Sequence, residues 1–238
     1  MSALRKPTLG FSLIELAVVL AVITLVLGSL IVPITMQAEQ RQYSQTDSAM
    51  DDVMEALLGY AILNGYLPCP DTDNDGIQNR TGGVCSTIVG NFASGNLPYS
   101  DLGLQTARWD SWGNRYRYQV YASFASSAVP FTLSTTTLSA IRVCATAATC
   151  ATNYYTTAGI AMVLSHGKNG YGATNATNNT ALGAPTSADE LENTNNNRDF
   201  VWRPRTDVGA TAGEFDDTMK WMNTYPLINR MVQAGKLP

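Results

Sequence analysis

The sequence predicts an α+β protein: one long amino-terminal helix whose second half packs against an antiparallel β-sheet head. Three observations point there. Residues 11–34 are almost continuously apolar, residues 44–63 carry apolar side chains at helical spacing, and strand-like stretches bounded by turn residues follow residue 66. The chain has 238 residues, a net charge of -4 and only 14% charged residues. Such a chain is long enough for a core without metal or disulfide support, and too apolar to be disordered throughout. Its acidic balance argues against a protein that coats nucleic acid. A single His, and no Walker or dinucleotide fingerprint, leave little basis for zinc, ATPase or redox chemistry.

The first ten residues are short and polar, with Arg5 and Lys6 as their only charges. Phe11 to Ile34 then spans roughly 36 Å as a helix, enough for a hydrocarbon core about 30 Å thick. The flanking Arg5 and Lys6 place the amino end in the cytoplasm and the rest of the chain outside. A cleavable secretory signal fits poorly, because its apolar region runs about 7 to 15 residues and ends in a small-residue cleavage site. Glu15 is the one charge in the run. A carboxylate inside a membrane helix costs on the order of 2.5 to 3.5 kcal/mol, so its presence points to a role. Cleavage between Gly10 and Phe11 would set a new ammonium group within about a turn of Glu15, and a neighbouring copy's amine would cancel the buried charge.

Gly10-Phe11-Ser12-Leu13-Ile14-Glu15-Leu16, behind a basic leader and ahead of the apolar run, resembles the class III signal of type IV pilins and type II secretion pseudopilins. The resemblance implies a pilin fold and cleavage after Gly10 by a membrane prepilin peptidase, with methylation of Phe11. It gives Glu15, fifth in the mature chain, the setting of subunit register. The implied partners are other pilin or pseudopilin subunits and an inner-membrane assembly platform driven by a separate motor ATPase. The expected organisation is a leader over 1–10, a transmembrane and assembly segment over 11–34, an amphipathic half-helix over 35–65 and an extracytoplasmic head over 66–238.

Met50, Val53, Met54, Leu57, Leu58, Ala61 and Ile62 make one apolar helix face. Pro33 is expected to kink the helix without ending it, and Asn64-Gly65 to stop it. In the head, strands are expected over 115–121, 138–144 and 159–165. Asp110-Ser111-Trp112-Gly113-Asn114-Arg115-Tyr116 resembles the Asp-Pro-Trp-Gly-Asn-Pro-Tyr segment of major pseudopilins, with Ser111 and Arg115 in place of the prolines. Trp112 and Tyr116 are expected in the core. Residues 171–198, rich in Asn, Thr, Ala and Gly, predict a long surface loop. Phe215, Met219 and Met222 predict one carboxy-terminal helical piece, and Leu227, Ile228, Met231 and Val232 a second that ends at Gly235.

Cys69, Cys85, Cys144 and Cys150 all follow the apolar run, on the side where disulfides persist. Of the three possible connectivities, Cys69–Cys85 with Cys144–Cys150 closes the shortest loops; zinc lacks the tight Cys-x-x-Cys spacing. Asp71, Asp73 and Asp75 at alternate positions, then Gly76 and a carbonyl at Ile77, match the opening of a calcium loop, but Gly82 stands where the closing Glu belongs. No cofactor is required on this reading, and a structural calcium ion is the one candidate. Ser165-His166 on a strand end points two ways and does not make a hydrolase pair, so a structural turn with a locally bonded imidazole is expected. The expected function is a structural, non-enzymatic subunit of a type II secretion pseudopilus or a type IV pilus. The rival is a minor tip subunit that binds DNA or a surface, with Arg108, Arg115, Arg117, Arg198, Arg203 and Arg205 as a basic face.

Overall fold

A computed structural model describes residues 12–137 and 139–238, with the side chains of residues 29–34 outside the description. Gly10 and Phe11 therefore lie outside the described residues, as does Leu138 at the start of one expected strand. The chain divides into two compact units, residues 1–42 and 43–238.

In the first unit the described backbone is the beginning of α1 (Leu13–Asn64). Pro33 does not end the helix. From Leu13 to Leu27 its large apolar side chains are exposed, from 46% at Ile23 to 86% at Leu13. Among the described residues no helix is long and apolar enough to cross a membrane.

In the second unit the last turns of α1 supply one wall of the core. Met50, Val53, Leu57 and Ala61 are fully buried, and Met54, Leu58 and Ile62 pack at the edge of the same cluster. These are the residues that the spacing of three and four selects. The helix closes as read: Gly65, at φ 85°, donates its N–H to the Ala61 carbonyl at 2.8 Å, a left-handed cap that favours glycine.

Beyond α1 a two-stranded hairpin, β1 (Arg80–Thr81) and β2 (Val84–Cys85), turns through Gly82 and Gly83, both at positive φ. The main sheet contains β3 (Ile88–Val89), β4 (Phe92–Asn96), β5 (Arg117–Tyr121), β6 (Ile141–Cys144), β7 (Tyr154–Ser165), β8 (Asp199–Val201) and β9 (Thr218–Asn223). Strand β7 is its axis. Along one edge it pairs first with β6 and then with β5; along the other, residues 159–165 pair with β9. All pairings are antiparallel except β6 with β8, which is parallel. One core joins the α1 face to Tyr118, Val120, Ile141, Ala161 and Val163. Two short helices complete the unit, α2 (Ala188–Glu192) and α3 (Thr224–Gln233).

Two expectations need correction. Met219 and Met222 belong to strand β9, not to a helix. Both are buried, but on opposite faces of the strand, and the edge of β7 supplies the ladder that decides the backbone's conformation. Residues 171–198 are not a loose loop. Bridges join Asn114 to Asn175 and Thr174 to Ala181, α2 forms within the segment, and Ala173, Ala176, Glu190 and Asn193 are buried. Asparagine side chains hold the turns: Asn175 Oδ1 accepts the N–H of Thr177 at 3.0 Å, and Asn178 Oδ1 that of Thr180 at 3.1 Å. The second carboxy-terminal piece is helix α3, with Leu227 and Met231 buried and Gly235 just beyond its end.

Candidate functional site

At the start of α1 the carboxylate of Glu15 folds back along the helix. Its Oε2 accepts the Ser12 N–H at 2.8 Å, while Ser12 Oγ lies 3.4 Å from the Ile14 N–H. Ser-x-x-Glu with a Glu reaching back to the first residue's N–H is a capping box, a pattern readable in the sequence but missed there. Negative charge in a helix's first turn also suits its dipole. The carboxylate thus faces the end of the chain where the Gly10–Phe11 junction lies in sequence. Glu15 is exposed within the single chain, as are the apolar residues that follow it.

This segment is what the comparisons recognise. Residues 5–31 match the family model described as the prokaryotic N-terminal methylation motif. The chain therefore carries the signal of type IV pilins and pseudopilins, and the α+β architecture behind it is consistent with a pilin-like fold. No curated protein and no solved structure matches the chain.

In the head, Cys69 is bonded to Cys85 and Cys144 to Cys150. Asp71, Asp73 and Asp75 converge, with carboxylate oxygens within 4.8 Å of one another. Asp71 is fully buried and already serves its own loop: Oδ1 accepts the N–H groups of Asp73 and Asn74 at 3.1 and 2.7 Å, and Oδ2 that of Gly76 at 2.8 Å. Burial raises the Asp71 carboxyl above its usual range against these three N–H groups. Asp75 Oδ1 accepts the Ile77 N–H at 2.7 Å, and Asp73 Oδ2 the Asn79 amide at 3.0 Å. Ile77 shows a bonded N–H and an exposed side chain. As folded, the loop is an Asx-type turn in which Asp73 and Asp75 keep oxygens that could meet a cation.

A second acidic group was not anticipated. Glu190, Asp216 and Asp217 are each at least nine-tenths buried, with oxygens within 4.8 Å of one another. Glu190 Oε1 accepts the Asp216 N–H at 2.9 Å, Asp216 Oδ2 the Asn169 N–H at 2.7 Å, and Asp217 Oδ2 the Asn193 amide at 2.8 Å. Burial pushes Asp216 up to about 7, with Asp217, Glu190 and Glu214 adding to the rise. Burial raises Glu190 as well. Twenty-six positions separate Glu190 from Asp216, and only folding brings them together.

His166 is 1% exposed, with Nδ1 3.4 Å from Asp217 Oδ1 and neither ring nitrogen in a hydrogen bond. The expected local bond of the imidazole is absent. Ser165 gives its proton elsewhere, to Asp110 Oδ2 at 2.6 Å, so no nucleophile–base pair forms. Asp110 also accepts the N–H groups of Trp112 and Asn114, both at 2.9 Å, and so closes the Asp-Ser-Trp-Gly-Asn turn. Tyr116 is in the core as expected; Trp112 is only partly buried, its ring centroid 4.6 Å from that of Tyr43.

The six arginines do not make a common basic face. Arg115 and Arg117 are turned inward, Arg203 binds Asp189 at 2.7 Å and Arg198 lies 3.7 Å from Asp199. Arg205 stacks on Tyr43 and Arg108 on Trp109. A DNA-binding surface finds no support in this arrangement.

Proposed function

We propose that the chain is the precursor of a structural subunit of a type II secretion pseudopilus or a type IV pilus. Prepilin peptidase cuts after Gly10 and the new amino terminus, Phe11, is methylated. Before assembly the subunit sits in the inner membrane through residues 11–34, with its amino end cytoplasmic and its head periplasmic. An assembly platform and a separate motor ATPase then draw it into a filament; the chain itself performs no catalysis on this reading.

The observation that carries the proposal is the exposed apolar surface of Leu13–Leu27 within the methylation motif. A surface of this kind requires lipid or other helices as its environment. Glu15, folded towards the amino end, is the group that a neighbouring subunit's Phe11 amine would neutralise. The test is Glu15→Ala in the native host. It should insert and be processed normally yet incorporate into filaments at a small fraction of the wild-type level; wild-type incorporation would remove the pairing role. Calcium in the loop of Asp71, Asp73, Asp75 and Ile77 belongs to the proposal as a structural ion of the head, with Asp73 and Asp75 as its carboxylate ligands and Asp71 shaping the turn.

A further inference from the structure

Two guanidinium groups of the head, that of the buried Arg115 and that of the partly buried Arg117, have no carboxylate hydrogen-bond partner among the described residues. Arg115 is 3% exposed; its Nη2 donates to the Asn74 carbonyl at 2.7 Å and to Asn179 Oδ1 at 2.9 Å, and its Nη1 has no acceptor. Arg117 donates from Nη1 to the Thr194 carbonyl at 3.0 Å and from Nη2 to the Asn195 carbonyl and Asn196 Oδ1, while its Nε has no acceptor. Every acceptor these two arginines have is neutral. Removing charge from water is costly unless an opposite charge meets it, and here no carboxylate bonds directly to either group. Burial accordingly pulls Arg117 down to about 10, with Asp217 opposing at longer range.

Both arginines line one cavity of about 450 Å³, and so does His166, whose ring nitrogens make no hydrogen bond and whose Nδ1 lies 3.4 Å from Asp217 Oδ1. That volume is in the range of small-ligand sites, roughly 300 to 1,000 Å³. The rest of the wall is unusual for such a site. It is made mainly of hydroxyls and amides, among them Thr72, Ser94, Asn96 and Thr174, and contains no aromatic ring. The one carboxylate in the wall, Asp71, is spent on its own backbone N–H groups.

We propose that this cavity binds an acidic sugar, a uronate-type monosaccharide unit whose carboxylate meets Arg115 and Arg117 and whose hydroxyls meet the polar walls. A planar carboxylate suits the guanidinium fork, and a polyhydroxylated ring suits walls that offer hydrogen bonds in place of apolar contact. A peptide carboxyl terminus would find charge here but little apolar surface for its side chains. The site is separate from the helix that assembles the filament, so the inference goes beyond the proposed function and does not depend on it.

The experiment is calorimetric titration of the full-length protein in detergent with D-glucuronate, against D-glucose as the neutral match. Saturable binding of glucuronate, at least tenfold tighter than glucose, is expected. Arg117→Gln should weaken it tenfold or more. Because Arg117 also holds the 194–196 backbone, Thr87→Trp is the second variant: Thr87 is exposed on the cavity's rim, and an indole there should block binding while circular dichroism stays unchanged. Equal binding of glucose, tighter binding of inorganic phosphate or of an acetylated tripeptide with a free carboxyl terminus, or unchanged binding by Thr87→Trp would each overturn the proposal. So would no measurable binding at all.

Discussion

Replacing Asp216 by Asn should stabilise the protein at pH 8, although it removes a natural charge. In the folded state this carboxyl is driven up to about 7 from an ordinary value of 3.8, first by burial and then by Asp217, Glu190 and Glu214. A group whose folded pKa lies above its unfolded one favours folding fully below the unfolded value, and that contribution is lost as pH rises through the folded value. The window here is therefore about pH 4 to 7. Each pH unit of difference is worth about 1.4 kcal/mol, so the three-unit rise sets an upper value near 4 kcal/mol. Asn keeps an oxygen for the Asn169 N–H and offers its amide to the neighbouring acids in place of a repelling charge. The assay is urea unfolding of the full-length protein in detergent, with chelator, at pH 5, 6.5 and 8. The wild type should lose stability as pH rises and Asp216→Asn should lose markedly less, the two diverging most at pH 8. Parallel profiles, or a less stable Asn variant at pH 8, would refute the reasoning.

Two further outcomes follow from the same structure. Leu57→Ala, at a fully buried position between α1 and the sheet, should cost about 2 to 5 kcal/mol in urea unfolding; a loss under 1 kcal/mol would mean that the helix does not close this core. Calcium at 10 mM should stabilise the head by about 1.4 to 2.7 kcal/mol, for a site of about 10⁻⁴ to 10⁻³ M, and Asp73→Ala should abolish the gain. A gain that survives Asp73→Ala but disappears with Asp216→Asn would move the ion to the buried acidic group and end the loop reading.

Helical features were the most legible in the sequence because they are local. The three-and-four spacing of Met50, Val53, Leu57 and Ala61 and the Asn64-Gly65 stop needed no knowledge of the rest of the chain. Met219 and Met222 misled because three-residue spacing suits a helix face equally well as two opposite faces of a strand, and only the edge of β7 decides between them. Residues 171–198 looked structureless because their order comes from asparagine-capped turns and arginine–carbonyl bonds, not from apolar periodicity. The Glu190–Asp216–Asp217 group and the cavity of Arg115, Arg117 and His166 draw on distant segments, and composition alone does not reveal such groupings. Glu15 is the reverse case. Its unusual place was plain in the sequence, yet the capping box with Ser12 was also there to be read.

The account rests most heavily on the processing of the amino terminus. Mass spectrometry of the protein purified from its native host should find a chain that begins at Phe11 with a methylated amine. A chain that begins at Met1, or one trimmed beyond Glu15, would contradict it.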